Sequence, residues 1–373
     1  MRLRSFGLAL IVLATACTTA PGTTASPTAA PSVDIKRGKL DIAYSAFVDL
    51  DVHRVSSKKA LTAALDGIRA EVKATNGKDD VPTPDFDDVQ EPVIAEFKKF
   101  EKAAQALAVK NPQLTADRIA DAAIASMITA SPDCHTVYRG KDGKLYRSRP
   151  ESVSGTRGQP PAGGTSIAPG TDEVGLAAKV TTEGIGYVTF REFLKSGTYD
   201  VTAQVKKSLD AMLAVGAKAW LFDLRGNNGG DPPQTMTSWF LNGEPIMKIE
   251  LKNGAGGTVT AKTDLRLPQS YQLPLAVLLN GAGGSSPEVF TLGLKENKRA
   301  TVVGQKSTGC LGATSETNMS DGSLLLVVVQ EFVGAQTGTR YNNTGIPPDV
   351  TADDAAAVSV ASKLLLDQIA KGK

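Results

Sequence analysis

Two apolar runs, each followed by a segment of small and polar residues, constrain the fold of this chain most strongly. Ala219–Phe222 precedes Asp223–Gly230, which reads DLRGNNGG, and Leu275–Leu279 precedes Asn280–Glu288, which ends in SSPE. Short apolar runs bounded by turn residues are typical of buried strands. One strand is therefore predicted to end in a glycine turn with free backbone N–H groups, and the other in a serine at the start of a helix. A hydroxyl beside such a turn is what acyl-transfer chemistry needs.

Strand and helix patterns alternate over residues 184–350, which predicts an α/β core with parallel strands. The predicted strands are Ile185–Phe190, Ala219–Leu224, Leu275–Leu279, Ala300–Val303 and Ser323–Glu331, and the predicted helices are Val201–Val215, Pro233–Leu241, Ser286–Asn297 and Asp353–Ile369. Apolar residues recur at helical spacing in residues 35–131, so this part is predicted to be mostly helical. Residues 139–183 are rich in Gly, Pro and Ser, which predicts an irregular segment with a hairpin near Gly140–Tyr146. This segment is also expected to lie over the substrate-binding cleft as a lid.

The first residues of the chain predict export. Arg2 and Arg4 precede the apolar stretch Phe6–Leu13, which is too short to span a bilayer and suits a signal peptide. Cys17 follows small residues and resembles the lipidated cysteine of bacterial lipoproteins, with ordinary secretion as the alternative. The expected location is the outer face of the bacterial cytoplasmic membrane, in the cell envelope, held there by the lipid. The expected divisions are a signal peptide (1–16), a tether (17–34), a helical domain (35–138), a connecting segment (139–183) and a core (184–373).

The charge of the chain limits its expected binding partners, and its cysteine content limits the disulfides it can form. The chain has 41 Lys and Arg against 39 Asp and Glu, and the two signs are interspersed, so neither nucleic acid nor an acidic partner is expected. No cofactor and no metal site is predicted. Cys134 and Cys310 remain beside Cys17, and their spacing alone leaves open whether they form a disulfide or are two unrelated thiols.

Six segments, read in order, resemble the motifs of the S41 peptidases, the tail-specific or C-terminal processing proteases. The segments are Asp133–Thr136 with Tyr138 (D-x-H-T-x-Y), Gly184–Phe190, Asp223–Gly230 (DLRxNxGG), Asn280–Glu288 (ending S-x-x-E), Arg299–Gly304 (RATVVG) and Gly345–Val350 (G-I-x-P-D). The resemblance implies a crotonase-like or ClpP-like core. It also implies a serine endopeptidase that acts on unfolded or extended polypeptides outside the cytoplasm. The family often carries a PDZ domain before the core, for which residues 139–183 are too few.

The resemblance assigns Ser285 as the nucleophile. Ser285 and Glu288 also form a capping-box pattern, and the two roles are compatible because a helix start favours developing negative charge. The backbone N–H groups of the Gly229–Gly230 turn and of Ser286 are the expected oxyanion donors. The alternative is that these glycines only make a tight turn between strand and helix.

The residue expected to act as general base differs from the one used in the best-known branch of the family. That branch places a lysine in a T-x-G-K-G segment, where this chain has Cys310. The tricorn-like and retinoid-binding-like branch uses instead a histidine from the D-x-H-T segment, which implies His135 as the base. His53 lies among charged residues and is expected to be a surface histidine. The residue that orients the base is left open between three candidates, which are Asn342, Asp223 and Glu288.

The same comparison bears on the cysteines and on the alternatives for function. If Cys310 occupies the lysine position and His135 enters the site, Cys134 and Cys310 are expected to meet as a disulfide. A catalytically inactive relative that binds a peptide or an apolar ligand is the second hypothesis. A crotonase-like acyl-CoA enzyme is the third, and is disfavoured because an exported protein has no access to CoA esters.

Overall fold

A computed structural model describes residues 33–149, 155–254 and 256–372 of the chain. It has two units, Met1–Val33 and Asp34–Lys373, and only Val33 of the first is described. The predicted signal peptide and the predicted lipidation site Cys17 therefore lie outside the described residues. Within the described residues, no helix has the length and apolar character needed to cross a bilayer.

The secondary structure follows the chain from a helical part into mixed strands and helices. The helices are α1 (Arg37–Leu50), α2 (Ser57–Ala74), α3 (Ile94–Lys110), α4 (Ala116–Met127), α5 (Val201–Ala214), α6 (Gln234–Ser238), α7 (Ser286–Glu296) and α8 (Ala357–Ala370). The strands are β1 (Val137–Arg139), β2 (Leu145–Arg147), β3 (Thr165–Pro169), β4 (Ala177–Val180), β5 (Ile185–Thr189), β6 (Ala219–Asp223), β7 (Pro245–Leu251), β8 (Thr258–Thr260), β9 (Leu275–Leu279), β10 (Thr301–Gly304), β11 (Gly312–Asn318), β12 (Leu324–Val333) and β13 (Val350–Thr351). Short 3₁₀ turns occur at Ile128–Ala130, Thr263–Leu265 and Gln269–Tyr271.

The larger sheet has the strand order β13-β10-β9-β6-β5-β4-β3. β5, β6, β9, β10 and β13 are parallel neighbours, whereas β3 and β4 pair antiparallel. Every residue of β5, β6 and β9 is buried, which is why their sequences are continuous apolar runs. Phe222 packs on Phe290 of α7, and Leu221 faces the opposite core with Leu365 of α8. The mixed α/β structure with a parallel core is thus confirmed.

The carboxyl ends of the parallel strands lie at one edge of this sheet. Asp223 is paired with Leu278, and Leu279 is paired with Gly304. The segments that follow β6, β9 and β10 therefore leave the sheet side by side, as do the binding segments of other open α/β sheets.

The smaller sheet is antiparallel, with the order β2-β1-β12-β7-β8 and with β11 also paired to β12. Val137 of β1 lies opposite Leu326 of β12, and the same part of β12 pairs with β11. This pairing brings the residues just before β1 next to the start of β11. A methyl group on Gly312 would lie 3.9 Å from Nδ1 of His135.

The helices α1 to α4 form the predicted helical part and pack closely on one another. Ser56 and Thr115 cap α2 and α4 by accepting hydrogen bonds from the amides of Lys59 and Arg118. α2 crosses α4 at Gly67, where a methyl group would lie 2.3 Å from the Ala122 carbonyl oxygen. These helices belong to the same compact unit, Asp34–Lys373, as both sheets.

The connecting segment is more regular than its composition predicts. The hairpin near Gly140–Tyr146 is present as β1 and β2, but the description of the rest as irregular is wrong for Thr165–Val180. These residues form β3 and β4 and extend the larger sheet at its antiparallel edge, so they are not a lid. Other described residues of the segment contact the carboxyl edge: Arg149 donates to the Thr308 carbonyl and lies 3.3 Å from Cys310 Sγ, the Thr156 carbonyl accepts from Asn280 Nδ2, and the Gly158 amide donates to the Arg225 carbonyl. Glycine and proline here lie in the turns around two short strands, and composition alone did not reveal those strands.

Candidate active site

Ser285 lies between the end of β9 and the first residue of α7. Its backbone has φ 71° and ψ −120°, a region that residues with a side chain seldom adopt. Such strain persists only where the surroundings hold it. Here the Ser285 amide donates to Oε2 of Glu288 at 2.9 Å, one half of the predicted capping box. The helix start and the carboxylate together fix the backbone that carries the hydroxyl.

Glu288 is buried and accepts hydrogen bonds from two segments, the Ser285 backbone and residues 307–310. Its carboxylate also accepts the amides of Gly309 and Cys310, at 2.6 and 2.7 Å, and the hydroxyl of Ser307 at 2.5 Å. Burial raises the pKa of Glu288, and these hydrogen bonds act in the opposite direction. Glu288 is one of the three candidates for orienting His135, and its oxygens contact the Ser285 backbone and the 307–310 segment instead.

The glycine turn after β6 packs directly against Ser285. Gly229 has φ 89°, and a methyl group there would lie 2.7 Å from Ser285 Cβ and 3.1 Å from its Oγ. The Gly229 amide donates to Oδ1 of Asn227 at 2.9 Å and is therefore not free for an oxyanion. Among the described residues, the amides of Gly230 and Ser286 have no hydrogen-bond partner.

Ser286 connects the start of α7 to the glycine turn after β6 through its hydroxyl group. Its hydroxyl lies within hydrogen-bond distance of the carbonyl oxygens of Gly230 and Asp231, at 2.8 and 2.9 Å. Ser286 is buried, with 4% of its surface exposed. This contact holds the two unpartnered amides, from Gly230 and Ser286, on adjoining segments.

His135 precedes β1 and faces a buried carboxylate. Asp133 Oδ1 accepts the His135 amide at 2.8 Å and lies 3.6 Å from the ring Nδ1. Asp133 is fully buried and His135 is partly exposed. Burial alone would raise the pKa of Asp133, but its interactions with His135, His53 and Asn342 outweigh burial and hold the pKa well below its usual range. The carboxylate that faces the ring is Asp133, which begins the D-x-H-T segment but is not among the three candidates named from the sequence.

A disulfide connects the segment of His135 to the wall of the site beside Ser285. Cys134 and Cys310 are bonded, with Cα atoms 5.8 Å apart. Cys134 Sγ lies 3.3 Å from His135 Nδ1, and a methyl group on Gly284 would lie 3.1 Å from Cys310 Cβ. The bond thus connects the residue before the candidate base to the wall beside the candidate nucleophile. In the described part of the chain, no hydrogen bond joins Ser285 to His135.

Asn342 and Asp223, the other candidates for orienting His135, contact different groups. Asn342 Nδ2 donates to Asp133 Oδ2 at 2.8 Å, while its Oδ1 accepts the Leu311 amide at 3.0 Å. Asp223 is occupied by Arg225, at 2.7 and 2.8 Å, and by the Tyr187 hydroxyl. Asn342 therefore acts on His135 only through Asp133, and Asp223 braces the turn after β6.

His53 is not the surface histidine that the sequence predicted. Its Nε2 lies 3.0 Å from Asp133 Oδ2, and 24% of its side chain is exposed. Its amide donates to Asp51 Oδ1 at 2.7 Å, and Asp51 is fully buried. The sequence signal was the D-x-H spacing of Asp51 and His53, which repeats that of Asp133 and His135.

One group of metal-type ligands was found among the described residues. Asp133, Cys134 and His135 offer ligand atoms within 4.8 Å of one another. The sulfur of Cys134 is taken by the disulfide, and two adjacent ligands are fewer than a structural or catalytic zinc site uses. The cluster is better described as a carboxylate that faces an imidazole.

Comparisons with known proteins identify the family of the core residues. Residues 184–352 match the family model described as peptidase family S41. The carboxy-terminal processing protease CtpA of Bacillus subtilis (strain 168) is 28% identical over 172 residues, which are 45% of this chain and 35% of that protein. The match thus spans about a third of this curated relative.

Two solved structures share the fold over most of the chain. A lipoprotein from Streptococcus agalactiae has a TM-score of 0.52 at 15% identity, covering 84% of this chain and 97% of that one. A candidate peptidase from Parabacteroides merdae has a TM-score of 0.53 at 18% identity, covering 83% and 97%. At these identities the likeness concerns the fold alone.

Proposed function

Because residues 184–352 form a peptidase family S41 domain, we propose that this chain is a serine endopeptidase that cleaves extended polypeptides outside the cytoplasm. The observation that carries the proposal is the placement of Ser285. It lies at positive φ on a helix start, packed against a glycine turn, with two unpartnered amides on the adjoining residues. Ser285 is the nucleophile, His135 the general base and Asp133 the residue that orients the base.

The roles of the two imidazole nitrogens follow from their surroundings. Nδ1 of His135 faces Asp133 Oδ1, which leaves Nε2 to exchange a proton with the Ser285 hydroxyl. The Ser285 oxygen attacks the scissile carbonyl carbon while its proton passes to Nε2. The same proton then goes to the leaving amine as the C–N bond breaks and an acyl-enzyme forms. Water deprotonated by His135 releases the acyl group and restores both residues.

The amides of Gly230 and Ser286 are the proposed oxyanion donors. Backbone donors stabilise the tetrahedral intermediate because they are in place before charge develops. The positive end of α7 adds to this effect at Ser286. Gly229 has a different role, which is to allow the turn to approach Ser285.

The finer assignments of fold and location are part of the same proposal. The parallel sheet with α7 and α8 on opposite faces supports a crotonase-like core, and α1 to α4 support a helical N-terminal domain. The signal-peptide pattern and Cys17 support export and a lipid anchor at the cell envelope. The short connecting segment supports substrate selection without a PDZ domain.

Hydrolysis of an unfolded protein tests the proposal directly. The full-length protein is incubated with fluorescently labelled casein, beside Ser285→Ala, His135→Ala and the control Ser359→Ala, whose hydroxyl only bonds within α8. Loss of Ser285 or His135 should lower the rate by about a thousandfold or more, and the control should retain it. A fluorophosphonate should label Ser285 alone.

The alternative function gives a different pattern. A folded wild-type protein that neither cleaves casein nor reacts with the fluorophosphonate would contradict the proposal. That result would favour the inactive relative that binds a peptide or an apolar ligand. The observation behind this alternative is the missing hydrogen bond between Ser285 and His135, although such bonds often tighten only when substrate binds.

A further inference from the structure

Asp133 lies between two histidines, one on each carboxylate oxygen. Oδ1 faces the amide and ring of His135, and Oδ2 lies 3.0 Å from Nε2 of His53. Asn342 Nδ2 converges on the same Oδ2 at 2.8 Å. His53 therefore contacts the carboxylate from the side opposite to the candidate base.

Three buried carboxylates surround His53. Asp51 and Asp133 are fully buried, and Glu331 has 5% of its surface exposed. Asp51 Oδ1 accepts the His53 amide, while Asp51 Oδ2 has no hydrogen-bond partner among the described residues. Glu331 is paired with Arg340, so one of the three charges has a cation of its own.

The charge balance favours an imidazolium at His53. Burial lowers its pKa, but the contact with Asp133 and the charges of Asp51, Asp133 and Glu331 outweigh burial and raise it above its ordinary value. An unpaired buried carboxylate is costly, so a cation here stabilises Asp133 in its ionised form.

We propose that His53 is a positioning residue for hydrolysis, which as a cation holds the Asp133 carboxylate ionised and in place so that Asp133 orients His135. The inference rests on the proposed function, because Asp133 orients a base only if His135 is one. It adds a second histidine and a second buried acid, Asp51, to the residues on which the base depends.

The sign of the pH dependence follows from the direction of the His53 shift. A histidine whose pKa is raised on folding is charged below that value and neutral above it. The support that His53 gives to Asp133 is thus complete below the ordinary histidine pKa of about 6.5 and is lost as pH rises through the folded pKa. Wild-type kcat should therefore fall on the alkaline side with the titration of His53.

Glutamine and alanine at position 53 separate the hydrogen bond from the charge. His53→Gln keeps an N–H donor near the position of Nε2 without charge, and His53→Ala removes both. We expect His53→Gln to lower kcat on the order of tenfold with little change in KM and without the alkaline fall, and His53→Ala to lower kcat further. Arg54→Gln is the control, because Arg54 is in the same loop but donates to the Lys252 carbonyl. Wild-type kcat and an unchanged alkaline fall in His53→Gln would overturn the proposal.

A nuclear magnetic resonance titration tests the pairing independently of hydrolysis. The chain has two histidines, so His53→Gln leaves one and assigns both imidazole signals. The His53 signal should titrate above the ordinary histidine pKa of about 6.5 in the wild type, and at lower pH in Asp133→Asn. A His53 signal that titrates at or below the ordinary value, or one that Asp133→Asn leaves unmoved, would overturn the proposal. Absence of Ser285-dependent cleavage in the wild type would instead remove the proposed function while this readout still reports on the pair.

Discussion

The regions around the proposed nucleophile, Ser285, and the proposed base, His135, are held in place by different means. Ser285 is fixed by backbone contacts, through the Glu288 carboxylate and the turn at Gly229, within segments that directly follow two parallel strands. His135 faces Asp133, two residues before it, and Asp133 is held by the distant side chains His53 and Asn342, while the neighbouring Cys134 forms a disulfide with Cys310. Two motifs that end neighbouring strands therefore encode the first region, whereas the second depends on partners that only tertiary packing supplies.

This difference makes the two regions sensitive to different changes. The close approach at Gly229 does not tolerate a larger residue, because an added Cβ would overlap Ser285. A network of buried charges tolerates small steric changes but not the loss or gain of one charge.

The largest expected effect is on stability, from removal of the disulfide. The double variant Cys134→Ser/Cys310→Ser opens a loop with a sequence separation of 176, so its free energy of unfolding should fall by about 3–5 kcal/mol. Chemical denaturation measures this loss. Intact mass after alkylation supplies the control, since two additional thiols should react only after reduction. Reaction of Cys134 and Cys310 in the unreduced protein would show that no bond exists.

Gly229→Ala is expected to act on the nucleophile region alone. The new methyl group would meet Ser285 Cβ at 2.7 Å, so the hydroxyl or the turn must move, and cleavage should slow by about a hundredfold or more. Gly216→Ala is the matched control, because Gly216 has φ 90° but open space at its Cβ. Both variants carry about 1–2 kcal/mol of backbone strain, so equal rates in the two would contradict the steric explanation.

Asn342→Asp tests two opposite expectations about a second carboxylate near His135. If a second carboxylate at this position helped to orient His135, the change would raise activity. In this chain the new carboxylate would face buried Asp133 where an amide now donates at 2.8 Å, so we expect lower activity and a loss of about 2 kcal/mol in stability. The exchange variant Asp133→Asn/Asn342→Asp keeps the number of charges and should be more stable than the single variant. An active, stable Asn342→Asp would show that the base can use either acid.

The smallest expected effect is a difference in the slope of stability against pH. The Glu288 pKa is raised by burial, so folding favours its protonated form and the wild type should gain stability relative to Glu288→Gln as pH falls towards the ordinary value of about 4.3. The Asp133 pKa is lowered by its partners, so its contribution is complete above about pH 3.9 and is lost as pH falls further. Urea unfolding at a series of pH values compares the wild type with each variant. Slopes of the same sign would mean that the two regions are not held as described.

The core elements could be predicted from sequence because their patterns are local. β9 was predicted with the observed bounds, and β5, β6 and α7 differ only at their carboxyl ends. α8 begins at Ala357 rather than at Asp353, and α6 covers only part of its predicted range. The strands β7, β8 and β11 were not predicted, because their residues are only partly buried and lack a continuous apolar run.

Part of the candidate site could likewise be predicted from local sequence patterns, and part could not. The contact of Gly229 with Ser285 follows from two motifs that end neighbouring strands. The repeated D-x-H spacing marks Asp51, His53 and Asp133, but it does not reveal their contacts, which depend on the packing of the α1–α2 loop against the segment before β1. A charged residue in a sequence is usually on the surface, and only burial identifies the exceptions.

The covalent link between Cys134 and Cys310 has a consequence for when the site can be complete. Disulfides persist in oxidising compartments and are rare where thiols are kept reduced. While the chain is still inside a reducing cytoplasm, the two walls would be held together by non-covalent contacts only. On the proposed route of export, the redox state of the surroundings would set the timing of activity, so that the proposed hydrolase would mature only after it had left the proteins it would otherwise digest.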